Sequence, residues 1–127
     1  MTREISVPAT TPWTDTGVDV SAGSVVKIHA SGTVRYGGMA EQQTDANGGN
    51  FDGQQFFTTA VFPNAIVCSL IGRVDDAPVP AKNGFVGTDY QGTMTASGRL
   101  YLGFNDQKDQ FSDNSGAFDV TITTSCQ

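Results

Sequence analysis

The sequence has one histidine, one tryptophan, two cysteines and only seven lysines and arginines, and it has no apolar run long enough to cross a bilayer. Each shortage excludes something. Without a long apolar run there is no membrane insertion to explain. The basic residues (Arg3, Lys27, Arg35, Arg73, Lys82, Arg99, Lys108) are scattered along a chain of net charge −6. No basic patch forms, so nucleic acid and anionic lipid are poor partners. Cys68 and Cys126 lie far apart and match no zinc or redox spacing. Cys68 falls in the apolar run Ala65-Ile66-Val67-Cys68-Ser69-Leu70-Ile71 and reads as a buried free thiol, whereas Cys126, beside the last residue, is either idle or a cross-link between copies. The start, Met1-Thr2-Arg3-Glu4-Ile5-Ser6-Val7-Pro8, lacks the apolar stretch of a secretory signal, which leaves a cytoplasmic location and export by a non-classical route both open.

What is present is the pattern of an antiparallel β protein. Gly, Asn, Asp, Ser and Thr recur roughly every eight to twelve positions, too closely for a series of helices. Val25-Val26-Lys27-Ile28-His29-Ala30 alternates, with Val26, Ile28 and Ala30 on one face and Lys27 and His29 on the other, as a half-buried strand does. Further strands are expected over Ile5 to Pro8, Trp13 to Val20, Thr33 to Tyr36, Ala65 to Val74, Tyr90 to Ala96, Arg99 to Phe104 and Ala117 to Thr124. Short strands in this number predict an all-β fold, a jelly-roll-like antiparallel β-sandwich in which two sheets bury their apolar faces together. Residues 1–127 read as one domain with one core. Ala30-Ser31-Gly32 and Ala96-Ser97-Gly98 each end a strand and read as hairpin turns. Trp13, in an alternating segment, reads as a core residue, and His29, mid-strand on a polar face with no motif around it, as a surface one.

Two segments break the pattern, Gly37 to Gln55 and Asn105 to Gly116, and function concentrates on such loops. The second crowds three carboxylates (Asp106, Asp109, Asp113) and two side-chain amides of asparagine (Asn105, Asn114) into twelve positions. Such crowding is costly unless water or a cation screens it. Calcium takes about six to eight hard oxygen ligands from carboxylates, amides, carbonyls and water, so the loop suits it chemically. A solvated turn explains the same residues. The spacing is not that of an EF-hand, because Phe111 and Ala117 stand where Gly and Glu are required, so a metal here must borrow ligands from elsewhere. Asp45-Ala46-Asn47-Gly48-Gly49-Asn50-Phe51-Asp52-Gly53 fails the same count and reads as a flexible turn. Phe51, Phe56 and Phe57 are the aromatics expected to face a ligand. The three loop aspartates do not read as a glycosidase pair, because carboxylates held on a cation are poor proton donors; no enzymatic activity is expected.

The stretch Leu100-Tyr101-Leu102-Gly103-Phe104-Asn105-Asp106, followed by Asp113-Asn114-Ser115-Gly116-Ala117-Phe118-Asp119-Val120, resembles the C-terminal signature of the PA-IL-like (LecA-type) family of calcium-dependent, galactose-binding bacterial lectins. Trp13-Thr14-Asp15-Thr16-Gly17-Val18, Ala30-Ser31-Gly32, Tyr36-Gly37 and Leu70-Ile71-Gly72-Arg73 fit in order, so the resemblance spans nearly the whole chain. Its most specific element is the Asn105-Asp106 pair followed, after six residues, by Asp113-Asn114-Ser115-Gly116. The resemblance implies a galactose-binding-domain-like jelly roll with one Ca2+. Its ligands would be the Tyr36 carbonyl, the Asp106 carboxylate, the Gln110 carbonyl and the side chains of Asp113 and Asn114. The implied sugar-contacting set is Tyr36, Asn50, Asp52, Gln54, Asp106, Gln107, Gln110 and Asp113.

With Asp106 bound through both oxygens these groups supply about six donors and leave one or two positions for water or vicinal sugar hydroxyls. The chain departs from the family's best-known member at Asp113, where that lectin has an amide, and at Asn50, which stands for a histidine. The implied partners are galactose-like saccharides or glycoconjugates. Because one sugar buries little area and binds weakly, useful avidity implies a homo-oligomer. A carbohydrate-binding module of a larger glycoside hydrolase and a structural, calcium-stabilised assembly domain are the alternatives.

Overall fold

Along Val25–Ser31 the side chains of Val26, Ile28 and Ala30 are buried while Lys27, His29 and Ser31 are exposed, the period of two expected of a strand with one wet face. The computed structural model describes residues 2–35, 43–49, 56, 60–80, 82–106 and 114–125. Its strands are β1 (Thr2–Pro8), β2 (Trp13–Val20), β3 (Val25–Ser31), β4 (Val34–Arg35), β5 (Gln43–Thr44), β6 (Leu70–Val74), β7 (Ala77–Pro78), β8 (Asp89–Thr93), β9 (Gly98–Phe104) and β10 (Ala117–Ser125). Among the described residues the only helical element is a 3-10 turn, Lys82–Gly84.

One sheet runs β1-β10-β3-β8 and the other β2-β9-β6-β7, while β4 and β5 form a small ribbon. Every pairing is antiparallel. The chain passes back and forth between the two large sheets, so apart from the β6–β7 hairpin neighbours within a sheet are distant in sequence. That interleaving is the jelly-roll order, as expected. Val7, Val26, Ile28, Phe118, Val120 and Ile122 from the first sheet meet Val18, Val20, Leu70, Leu100, Leu102 and Phe104 from the second in one buried cluster. Each large side chain buried there stabilises the fold by about 1.5–3 kcal/mol.

Four expectations need correction. Neither Ala30-Ser31-Gly32 nor Ala96-Ser97-Gly98 makes a hairpin: β3 pairs with β10 and β8, and β8 and β9 belong to different sheets. These turns carry the chain between layers or into the ribbon, which a local sequence signal cannot distinguish from a hairpin. The strand expected over Ala65 to Val74 begins only at Leu70, because residues 61–68 run through bends and turns and Ser69 makes only an isolated bridge to Asn47. Trp13 is half-buried and outside the core cluster. It pairs with Gly103, and its ring packs edge-on against Phe62 at 5.3 Å and against the Arg73 guanidinium at 4.7 Å. Alternation in phase with the buried Thr16, Val18 and Val20 puts Trp13 on the opposite face, with Asp15, Gly17 and Asp19; at the bulge between Asp15 and Val18 the buried Thr16 hydroxyl donates to the Leu100 carbonyl at 2.6 Å.

The fourth correction concerns 45–49, expected to be a flexible turn: it is a turn, with Gly48 N–H donating to the Asp45 carbonyl at 3.1 Å, but one tied to neighbouring stretches of the chain. Ala46 is fully buried, its carbonyl accepts from Leu70 N–H at 2.9 Å, and Gly49 N–H donates to the Val67 carbonyl at 3.0 Å. Asn47 pairs with Ser69, and its amide oxygen accepts from Thr88 N–H and Oγ1 at 3.0 and 3.2 Å. Gly48 takes φ +85°, and a Cβ there would lie 2.7 Å from the Val67 carbonyl oxygen. Gly48→Ala is therefore expected to destabilise the protein by about 1–3 kcal/mol through combined strain and clash. Urea unfolding would measure it; a midpoint within error of the parent would show that this segment is not pinned.

Candidate functional site

Inward alternation along β9 (Leu100, Leu102, Phe104) carries the buried row to the strand end, where two polar residues follow: Asn105 at 0% and Asp106 at 2% exposure. Burying polar side chains this deeply is costly unless each finds partners. Asn105 finds them in the turn region upstream. Its Oδ1 accepts from Phe62 N–H at 2.8 Å, and its Nδ2 donates to the carbonyls of Phe62, Ala65 and Ile66 at 3.0–3.1 Å. Its backbone donates to the Ser69 carbonyl and accepts from Cys68 N–H at 2.6 Å. Cys68 is buried and outside any disulfide, as expected, and is one of three non-glycine residues at positive φ (65°) among those described. That conformation costs on the order of 1–3 kcal/mol and persists only where the surroundings enforce it.

Asp106 meets Asn114 across the loop. The Asn114 Nδ2 donates to Asp106 Oδ2 at 2.8 Å and to the Ala9 carbonyl at 2.9 Å. Both partners are acceptors, so the amide's orientation is settled: it is Nδ2 that faces them. Asn114 Oδ1 is buried and, among the described residues, is the one buried side-chain polar atom without a hydrogen-bond partner. Leaving such an acceptor unsatisfied costs about 1–3 kcal/mol. Arg35 and Ser115, the chain neighbours of Tyr36 and Asn114, exchange two backbone hydrogen bonds of 2.9 and 3.0 Å. The ends of β1 and β4 and both ends of the acidic loop thus converge.

Of the residues expected from sequence, Asp106 and Asn114 are brought together. Tyr36, Asn50, Asp52, Gln54, Gln107, Gln110 and Asp113 lie outside the described residues, as do Phe51, Phe57 and Cys126. Phe56 is exposed, at 49%, beside an apolar groove of about 280 Å³ lined also by Asn64, Ala65, Ile66, Asn83 and Phe85. Among the described residues no three His, Cys, Asp or Glu side chains cluster as a metal site. A cation held here would depend on amide and carbonyl oxygens as well as Asp106. The arrangement fits such an ion: a buried carboxylate with an unpartnered hard oxygen on the adjacent amide is a donor pair suited to calcium.

His29 is exposed on the outer face of its sheet, with Nδ1 2.8 Å from Asp89 Oδ1. Sequence reasoning missed the role of Asn105 and of the Ala9 carbonyl. Asn105 stood in the signature without a function because its side-chain partners lie 39 to 43 residues upstream, and a backbone carbonyl leaves no sequence signal.

The family model described as PA-IL-like protein matches residues 5–127. The chain belongs to the PA-IL-like family. Among solved structures it is similar to the EclA N-terminal domain, a PllA-like lectin, at TM-score 0.72 and 31% identity, over 97% of this chain and 96% of that one. No curated protein matches. PA-IL-like membership and a lectin neighbour covered almost end to end point to a carbohydrate-binding protein rather than an enzyme. In this PA-IL-like chain the signature pair Asn105-Asp106 and the segment from Asn114 onward are the described parts of the expected site.

Proposed function

We propose that this chain is a calcium-dependent lectin that recognises galactose or a related sugar through neighbouring hydroxyls on a bound Ca2+. The observation that carries the reading is the buried, unpartnered Asn114 Oδ1 beside the buried Asp106 carboxylate. Asp106 and the Asn114 side chain would hold the ion, with the Tyr36 and Gln110 carbonyls and the Asp113 carboxylate completing the set. The bound ion would polarise sugar hydroxyls, which strengthens the hydrogen bonds they donate to carboxylates. Asp106 and Asp113 would accept those bonds, and Asn50, Asp52, Gln54 and Gln107 would contact the rest of the sugar. Affinity at one site should be modest, since a monosaccharide buries little area and displaces ordered water. Several copies acting together, as a homo-oligomer, would supply avidity.

The test is titration calorimetry of a monosaccharide panel, once with calcium and once with chelator. Galactose or a close relative is expected to release heat only with calcium. Indifference of every sugar to chelator ends this reading.

A further inference from the structure

A sheet edge presents a row of unpaired backbone N–H and C=O groups, and proteins blunt it with proline, a bulge, a charged side chain or sheer shortness. Among the described residues the edges of the two large sheets are β1, β8, β2 and β7. Three of these are blunted. β7 is only Ala77–Pro78, and Pro78 has no N–H to offer. β2 is broken by its bulge, and the Arg3 side chain of β1 lies across it, so that a Cβ on Gly17 would meet Arg3 Nη2 at 2.8 Å. β1, which ends in Pro8, and β2 therefore shield each other. β8 has no proline, lysine, arginine or bulge, and Asp89 to Thr93 pair with Val25 to His29 without a break in register. It is also held at both ends, since Thr88 N–H donates to Asn47 Oδ1 at 3.0 Å and Met94 N–H to the Ser24 carbonyl at 2.8 Å.

Those end bonds set the phase. Ala30 N–H donates to the Thr88 carbonyl, so Thr88 and Met94 turn their backbone groups toward β3, as do Tyr90 and Gly92 between them; Asp89, Gln91 and Thr93 turn theirs outward. We infer that a second copy of this chain adds to the open edge, β8 against β8, antiparallel about a two-fold axis at Gln91. In that register Asp89 of each copy faces Thr93 of the other and the two Gln91 residues face each other, and every such pair can exchange two hydrogen bonds. A shift by one residue sets outward groups against inward ones, and a shift by two loses a pair. The side chains agree with this register. Asp89 is the one charge on the strand, and the axis sets its two copies at opposite ends of the ladder, each beside a hydroxyl that can donate to it, which spares like-charge contact in a chain of net charge −6. The Tyr90 ring lies back over Gly92, its hydroxyl donating to the Pro80 carbonyl at 3.0 Å, so it runs along its own strand and not across the edge. A ladder this short falls at the small end of interfaces, below ~1,200 Å², so the dimer should exchange with monomer at micromolar concentrations. The inference goes beyond the lectin reading and stands on the edge geometry alone.

Sedimentation equilibrium of the parent is expected to show monomer and dimer in exchange, and Gln91→Pro and Gln91→Lys to raise the dissociation constant by about tenfold or more. Proline at 91 removes an N–H that β3 does not use, and lysine there sets two like charges face to face at the axis. Thr121→Lys, on the same outer face but on the interior strand β10, should dimerise like the parent. A parent that stays monomeric at millimolar concentration overturns the inference. So do Gln91 variants that dimerise as well as the parent, or a Thr121→Lys variant that dissociates as they do. Should Gln91→Pro fail to fold, Gln91→Lys carries the test. Amide exchange gives a second measure on the parent: raising its concentration should slow Asp89, Gln91 and Thr93 while leaving Tyr90 and Gly92, already bonded to β3, unchanged. Equal slowing at all of them, or at none, overturns the inference. Sugar enters none of these measurements, so a chain that binds no galactose would end the lectin reading without touching this result.

Discussion

Asp106→Ala is expected to abolish calcium binding and sugar binding together. The carboxylate is 2% exposed and bonded to the Asn114 amide at 2.8 Å, so its removal takes away both the formal charge and the group that orients the neighbouring donor. Loss of an outer hydrogen-bond partner of a metal ligand already costs roughly 10–100-fold in affinity, and loss of the ligand itself should exceed that. Calorimetric titration of calcium, then of galactose at high calcium, reads both effects. Asp106→Asn separates charge from shape: it too should lose calcium, yet without calcium it should be at least as stable as the parent, because a buried charge has been replaced by a neutral group of the same size. Sugar binding that survives Asp106→Ala would mean that the site lies in another loop.

Calcium removal is expected to lower the melting temperature substantially. A ligand that binds only the folded chain stabilises it by about 2.7 kcal/mol at a hundredfold excess over Kd, roughly 10 °C for a domain of this length. The effect has a local origin, since the unpartnered Asn114 Oδ1 would gain the partner it lacks. Scanning calorimetry across calcium concentrations should show the midpoint rising with the logarithm of free calcium, and Asp106→Asn should be insensitive to chelator. A parent whose midpoint ignores chelator would contradict the calcium assignment, whatever the sugar results.

The residues that were legible in sequence share one property: their cause is local. In β3 and β10 a period of two places Val26, Ile28 and Ala30, and Phe118, Val120 and Ile122, on the core face, because a strand's neighbours alternate whatever it pairs with. Asp106 and Asn114 were legible because both stand in the acidic loop and in the motif that carries the family resemblance, eight residues apart. Trp13 was misread because alternation was credited without its phase: counted back from the buried Val18 and Val20, it falls on the face of the exposed Asp15, Gly17 and Asp19. The segment 45–49 looked flexible because its composition is that of a turn, yet its backbone groups are spent on Val67, Ser69 and Leu70, about twenty positions later.

The sequence by itself determined the fold class, the core face of the main strands, the family resemblance and the acidic loop in which hard oxygen donors are concentrated, all readable from near-neighbour spacing and side-chain chemistry. Only the tertiary structure decided that one short turn passes between layers and the other into the ribbon, that Asn105 is a buried hub, and that the Asn114 amide spends its nitrogen on Ala9 and Asp106 and leaves its oxygen unsatisfied. The reason is that a buried polar group is defined by what lies opposite it. In a jelly roll the opposite side comes from strands far along the chain, here 105 residues away for the Asn114–Ala9 bond.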